Sequence, residues 1–281
     1  MRHTESAFAG SAGTRLYWQR WKPEQGSNAA LVIVHGFGEH SGRYHEVATR
    51  LIDDGIAVYA FDLRGHGKSP GKRGHIDGIN DYRGDIDEFL HLVATMEPAL
   101  PIFLWGHSMG SLIALDCAVR NPAPLRSVIT SAVGLEPAGV ATPGVVRMAR
   151  VWSRLLPKMP ITIALDPRDL SRDADEVESY EGDPLVHNKA TARWAASLLE
   201  EISWLKRQAP KIRMPIMMMH GDADPINLPM GSKRFMANVT YKDKSLKLYK
   251  GSLHVPHGDL DKNVVIRDLA DWILAHSRKR R

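Results

Sequence analysis

Pro101-Ile102-Phe103-Leu104-Trp105-Gly106-His107-Ser108-Met109-Gly110-Ser111-Leu112-Ile113-Ala114-Leu115 is the stretch whose reading decides the fold. It opens as a buried strand, turns sharply at Gly106-x-Ser108-x-Gly110 and continues as an apolar helix. A serine between glycines at this spacing, after a strand and before a helix, is the pattern of a nucleophile elbow. So tight a turn strains the serine backbone and leaves no room for bulk two residues to either side. The plain alternative is a turn of small residues with no chemistry. To exceed it, the chain must supply a base, an acid and donors for an oxyanion.

Outward from the elbow, strands and helices alternate. A hairpin opens the chain, with strands over 3–9 and 14–21 about Gly10-Ser11-Ala12-Gly13. Ala30–Val34 and Ile56–Phe61 are unbroken apolar runs of strand length, as expected of parallel strands covered on both faces. Ser127–Ser131, Ile216–Met219 and Leu246–Tyr249 read as further strands. Helices are predicted over 43–54, 80–96, 191–207, 231–237 and 263–276 from apolar residues spaced on one face. The alternation implies an α/β fold: a mostly parallel sheet with helices on both faces and its loops gathered along one edge, where such sheets bind ligands.

The 281 residues suit a single domain, 1–281. Residues 134–189 break the alternation without a strong strand and read as an inserted lid. Within it Val145, Met148, Ala149, Trp152, Leu155 and Leu156 share one helical face, and Arg147, Arg150 and Arg154 the other. Such a basic amphipathic helix suits peripheral contact with a membrane surface. The plainer alternative packs the apolar face over the pocket and leaves the arginines in water.

Composition narrows the class. Hydrophobic residues make up 43% and charged residues 25%, an ordinary balance for a globular protein. Much of the net charge of +5 sits in Arg278-Lys279-Arg280-Arg281, and the other basic residues are mixed with acids, so nucleic acid is not an expected partner. Cys117 is the single cysteine, which excludes an internal disulfide and reads as a packed thiol. His3, Thr4 and Glu5 interrupt any signal-peptide core, and no apolar run reaches the roughly 18 residues of a membrane span. The expectation is a cytoplasmic protein that touches membranes at most peripherally. The 13 histidines form no metal-ligand spacing, and no cofactor is expected.

The needed chemistry lies downstream of Ser108. In this fold a serine nucleophile is followed in chain order by an acid and then a histidine. His220-Gly221-Asp222-Ala223-Asp224-Pro225 follows one strand, and Lys250-Gly251-Ser252-Leu253-His254-Val255-Pro256-His257 follows the last. Asp222 and Asp224 compete as acid, and His254 and His257 as base; Asp224 and His254 are preferred. Backbone N–H groups would bind the oxyanion: Met109, where the elbow helix begins, and a second near Phe37, in the loop after Ala30–Val34.

At this point the motifs resemble a known family. HGFGEHSGRY (35–44), FDLRGHGKSPGKRGHI (61–76), GHSMGSLIAL (106–115), YEGDPLVH (180–187), HGDAD (220–224) and LYKGSLHVPH (248–257) are similar to those of the monoglyceride lipases and related lysophospholipase-like serine hydrolases. The resemblance covers nearly the whole chain. It implies an α/β-hydrolase fold with an eight-stranded sheet and a lid, and Ser108, Asp224 and His254 as nucleophile, acid and base. Phe37 and Met109 become the oxyanion donors, and Glu39, Arg43, His107, Tyr180 and His257 a glycerol-binding set. The alternatives for that set are structural: Arg43 and Glu39 paired only with each other, and Tyr180 anchoring the lid. The implied substrate is a monoacylglycerol. The runners-up are a broader carboxylesterase or lysophospholipase, then a serine peptidase, then a relative without catalysis. Two departures stand out: the lid over 134–178 matches in length but not in sequence, and position 37 carries Phe where some members have a small residue.

Overall fold

The computed structural model describes residues 1–139 and 143–277, with the side chains of Pro143, Val145, Val146 and Ala149 excepted. The basic tail at 278–281 and the side chains of Val145 and Ala149 in the amphipathic face therefore lie outside the described residues.

The chain begins with strands β1 (Arg2–Ala9) and β2 (Arg15–Lys22), joined by a 3₁₀ turn at Ser11–Gly13. Strand β3 (Ala29–Val34) leads through a 3₁₀ turn at Ser41–Tyr44 into helix α1 (His45–Asp53). Strand β4 (Ile56–Phe61), helix α2 (Ile79–Met96), strand β5 (Ile102–His107), helix α3 (Met109–Arg120) and strand β6 (Leu125–Ser131) follow. The segment after β6 holds α4 (Pro143–Leu155), β7 (Pro160–Thr162), α5 (Ala174–Glu181) and, at its end, β8 (Lys189–Thr191). Helix α6 (Ala192–Leu205), strand β9 (Ile216–Gly221), helix α7 (Met230–Asn238), strand β10 (Lys244–Tyr249) and helix α8 (Lys262–Ser277) complete the α/β pattern.

The main sheet has eight strands in the order β1-β2-β4-β3-β5-β6-β9-β10. From β4 to β10 neighbours pair in parallel, while β2 lies antiparallel on β4 and β1 on β2. The expected α/β-hydrolase sheet is thus present. Side chains alternate between its two faces as strand geometry requires. Ala30, Val32 and Val34 of β3 join Leu104, Ile216 and Met218 in a core closed by α2, α3, α6 and α7. Ala29, Leu31 and Ile33 turn the other way, to meet Phe103, Trp105, Met217 and Met219 beneath α1 and α8. Every residue of β3, β4, β5 and β9 is buried, which explains why these strands are continuous apolar runs.

Two features of segment 134–189 differ from the expectation. A two-stranded antiparallel sheet, β7 with β8, closes its base, and α5 lies within it. The amphipathic helix α4 does not lay its described apolar residues over the pocket: Met148, Val151, Trp152 and Leu155 are 56%, 50%, 40% and 69% exposed. Among the described residues no helix is long and apolar enough to cross a membrane. Cys117 is buried in α3, and burial pushes its thiol up to about 12.

Candidate active site

Ser108 sits at the elbow with φ 50° and ψ −116°, a left-handed conformation that costs energy for any residue with a Cβ. The neighbouring glycines make the turn possible. A Cβ on Gly106 would come within 2.2 Å of the Gly110 carbonyl oxygen, and one on Gly110 within 2.1 Å of the Val34 carbonyl oxygen. The turn is secured from both sides: Ser108 N–H donates to the Ser131 carbonyl at 2.9 Å, and the Ser111 hydroxyl donates to the Gly106 carbonyl at 2.7 Å. The strain is thus held by surrounding bonds and presents Ser108 Oγ, half-buried, at the end of β5.

His254, in the loop after β10, has Nε2 3.0 Å from Ser108 Oγ and Nδ1 2.9 Å from Asp224 Oδ2. Asp224 Oδ1 accepts the backbone N–H groups of Ile226 at 2.8 Å and Asn227 at 3.0 Å. Burial works against its ionisation, but the charge of His254 and hydrogen bonds from His220 and His254 prevail and hold the carboxyl far below the usual range. Asp222, the competing acid, is exposed and accepts Gly251 N–H at 2.6 Å, a turn role. His257, the competing base, is buried between Tyr44, Trp105 and His107, with ring centroids 5.3, 5.1 and 4.8 Å away. Desolvation pulls its imidazole down to about 4. His107 is likewise held neutral by burial and by neighbouring histidines, with Nδ1 3.0 Å from Ser131 Oγ.

Met109 N–H opens α3, where amides have no partner within the helix and the helix dipole favours negative charge. Met109 and Phe37 both line the cavity beside Ser108. The Phe37 ring packs on Trp194 of α6 at 4.5 Å and edge-on against His66 and His187.

The cavity has a volume of about 390 Å³, and its lining mixes apolar and polar side chains. Leu112, Ile163, Leu165, Leu198, Leu199 and Ile202 give its lining a large apolar share. Glu39, Arg43, His107, Tyr180 and His257 line the same cavity, so the structure brings together every residue of the expected polar set. Glu39 and Arg43 do not pair only with each other, since their closest approach is 3.9 Å. Glu39 Oε1 accepts Gly36 N–H at 2.5 Å and the Tyr44 hydroxyl at 2.8 Å. Arg43 donates to Glu176 at 2.5 Å, lies 3.8 Å from Asp183 and stacks over the Tyr180 ring at 5.0 Å. Desolvation and Glu39 push the Tyr180 phenol up to about 12.

Sequence reasoning missed four neighbours. Glu176 lies one helical turn before Tyr180 on α5, a spacing that would have flagged it. Asp183 carries no such signal; it binds His40 Nε2 at 2.8 Å. Asn227 donates from Nδ2 to the Ala132 carbonyl at 2.8 Å and approaches Ser108 Oγ at 3.4 Å. His220 reaches Asp224 from behind the site. Among the described residues no group of histidine, cysteine and carboxylate side chains is arranged to hold a metal.

A strained serine, a histidine and an aspartate at the carboxyl edge of a mainly parallel eight-stranded sheet define an α/β-hydrolase. Residues 25–261 match the family model described as "Serine aminopeptidase, S33". The chain is 33% identical over 274 residues to the monoacylglycerol lipase of Mycolicibacterium smegmatis, covering 97% of this chain and 98% of that one. It is 33% identical over 265 residues to the human monoglyceride lipase, with 93% and 87% covered. The crystal structure of the Paleococcus ferrophilus monoacylglycerol lipase superposes with a TM-score of 0.86 at 33% identity, over 93% of this chain and 99% of that one. The chain belongs to the monoglyceride lipase family of α/β-hydrolases and is a serine ester hydrolase.

Proposed function

We propose that this protein hydrolyses monoacylglycerols to glycerol and fatty acid through Ser108, His254 and Asp224. The observation that carries the reading is His254 between Ser108 Oγ and Asp224 Oδ2, at 3.0 and 2.9 Å, in a cavity lined by both apolar and polar side chains. An acyl chain suits the apolar residues and a glycerol head the polar ones, with the ester carbonyl at the serine.

Ser108 Oγ attacks the carbonyl carbon while His254 Nε2 takes its proton. Asp224 orients the imidazole and stabilises its cation. The new oxyanion accepts the N–H groups of Met109 and Phe37; one such donor contributes about 2.7–4 kcal/mol to the barrier reduction. Collapse expels the glycerol oxygen, which takes the proton from His254 and leaves an acyl ester on Ser108. Water then attacks that ester with His254 again as base, releasing fatty acid and restoring the serine. Glu39, Arg43, His107, Tyr180 and His257 hold the glycerol end, and segment 134–189 acts as a lid.

Fatty-acid release from mono-, di- and triacylglycerol, lysophosphatidylcholine and an aminoacyl amide tests this, with Ser108→Ala as control. Release from monoacylglycerol alone, abolished in the variant, is expected. Comparable rates on several esters would leave a general esterase, preferential amide cleavage would restore the peptidase reading that the family model's description suggests, and activity surviving in Ser108→Ala would overturn the mechanism.

The enzyme is also proposed to be a cytoplasmic protein that rests on membranes through α4. Its exposed Met148, Trp152 and Leu155 lie beside exposed Arg147, Arg150 and Arg154, a combination suited to an anionic bilayer surface. Flotation with anionic liposomes should be weakened when the three arginines are neutralised; equal flotation would end this idea.

A further inference from the structure

We propose that His220 is a positioning residue for the reaction: it holds Asp224 from behind and limits how strongly that carboxylate attracts a proton onto His254. The inference rests on the proposed roles of Ser108, His254 and Asp224.

His220 is the penultimate residue of β9 and is fully buried. Its Nε2 lies 3.1 Å from Asp224 Oδ2 and 2.8 Å from the Asn227 carbonyl oxygen. Both partners only accept, so Nε2 carries the proton. Nδ1 lies 2.7 Å from Ser232 Oγ on α7, a hydroxyl free to donate to it. With the hydroxyl donating to Nδ1, the partners favour the tautomer whose Nε2–H is aimed at the carboxylate.

The oxygen it reaches is the one His254 uses. Asp224 Oδ2 receives Nδ1–H of His254 and Nε2–H of His220, while Oδ1 receives the N–H groups of Ile226 and Asn227. Four donors leave the carboxylate no rotational freedom. They also spread its negative charge, and the share taken by His220 is withheld from the imidazolium that forms on His254. His220 does not line the cavity and so acts through Asp224 alone. The ionisable groups about the pair are Asp224 and the rings of His107 and His257. His107 lies 5.2 Å from His254 and 4.8 Å from His257.

The test compares His220→Leu, His220→Gln and Ser232→Ala by their pH profiles of kcat/KM on a monoacylglycerol, with rates normalised to serine sites titrated by a fluorophosphonate. In His220→Leu the acid limb should move up by about one pH unit, with kcat per titrated site down roughly tenfold and KM within twofold. Gln carries a terminal amide that reaches the same two acceptors and should return the limb to its original position. An unmoved limb in a folded His220→Leu, or one that Gln fails to restore, overturns the inference and leaves His220 a purely structural tie. Should His220→Leu not fold, Ser232→Ala decides: it frees the tautomer and should move the limb part of the way, and no movement overturns the proposal. Asp224→Asn separates this inference from the reading beneath it. Wild-type rates in that variant would fell the triad itself, whereas a dead Asp224→Asn beside an unmoved limb in His220→Leu would fell only the role of His220.

Discussion

A permanent positive charge on Arg43 faces three carboxylates, those of Glu39, Glu176 and Asp183, at 3.9, 2.5 and 3.8 Å. Its side chain is nearly buried, so solvent does little to screen them. Burial raises the Glu176 carboxyl while Arg43 draws it back down. Arg43→Met keeps the bulk and removes the charge, leaving three carboxylates facing one another. Removing one partner of a buried ion pair costs about 3–5 kcal/mol. The expected outcome is a lower urea midpoint together with a raised KM for monoacylglycerol; an unchanged midpoint would mean that the carboxylates relax into water. At this scale the sequence was legible where residue type met position. Ser108, Asp224 and His254 each follow a strand at the active edge, and chain order separates their proposed roles. Glu176, Asp183, His220 and Asn227 were not, because their importance arises from partners 119 to 143 residues away, or from a turn whose direction only the fold sets.

Helix α3 shows how little freedom an element has at the elbow. Gly110 sits in its first turn, and a methyl group there would meet backbone oxygen of β3 rather than a movable side chain. Gly110→Ala should separate α3 from the sheet and displace Ser108. Loss of soluble protein, or folded protein that no longer reacts with a fluorophosphonate, is expected; near-normal labelling would show that β3 and α3 can move apart at little cost. The long elements were readable because burial wrote itself into composition: β3, β4 and β9 are covered on both faces and carry hardly a polar residue before the active edge. The pair β7 and β8 escaped notice for the opposite reason. Each has three residues, the exposed Pro160 and Thr162 flank a half-buried Ile161, and pairing across 27 to 31 positions of chain leaves no local period to detect. The outward face of α4 was also misjudged by the packed-lid alternative, since an amphipathic pattern tells which residues share a side and not which way that side points.

Across the whole molecule, burial of histidine gives stability a common pH dependence. Desolvation holds His66, His107 and His257 below their ordinary value, His257 at about 4 against 6.5. Each therefore binds a proton more readily in the unfolded chain. Their stabilising contribution is fully present above about pH 6.5 and is lost as pH falls toward 4. For His257 alone the loss is on the order of 3 kcal/mol. Asp224 adds to it at the lower end, because its depressed carboxyl is protonated only after that of the unfolded chain. Tm should fall steadily from pH 7 to pH 4.5; a flat profile over that range would mean that the buried imidazoles reach water before the fold opens.

The order of strands in the sheet has a consequence for the growing polypeptide. The serine elbow and both proposed oxyanion amides belong to β3, β5 and α3, which a ribosome delivers early. Asp224 and His254 follow β9 and β10, the last two strands made, which lie next to each other at one edge of the sheet. With the proposed roles, a nascent chain carries its nucleophile before the residues that would deprotonate it have been made. On that assignment, reactivity toward esters requires the last strand and the loop after it, so the order of synthesis would keep the partly made enzyme inert.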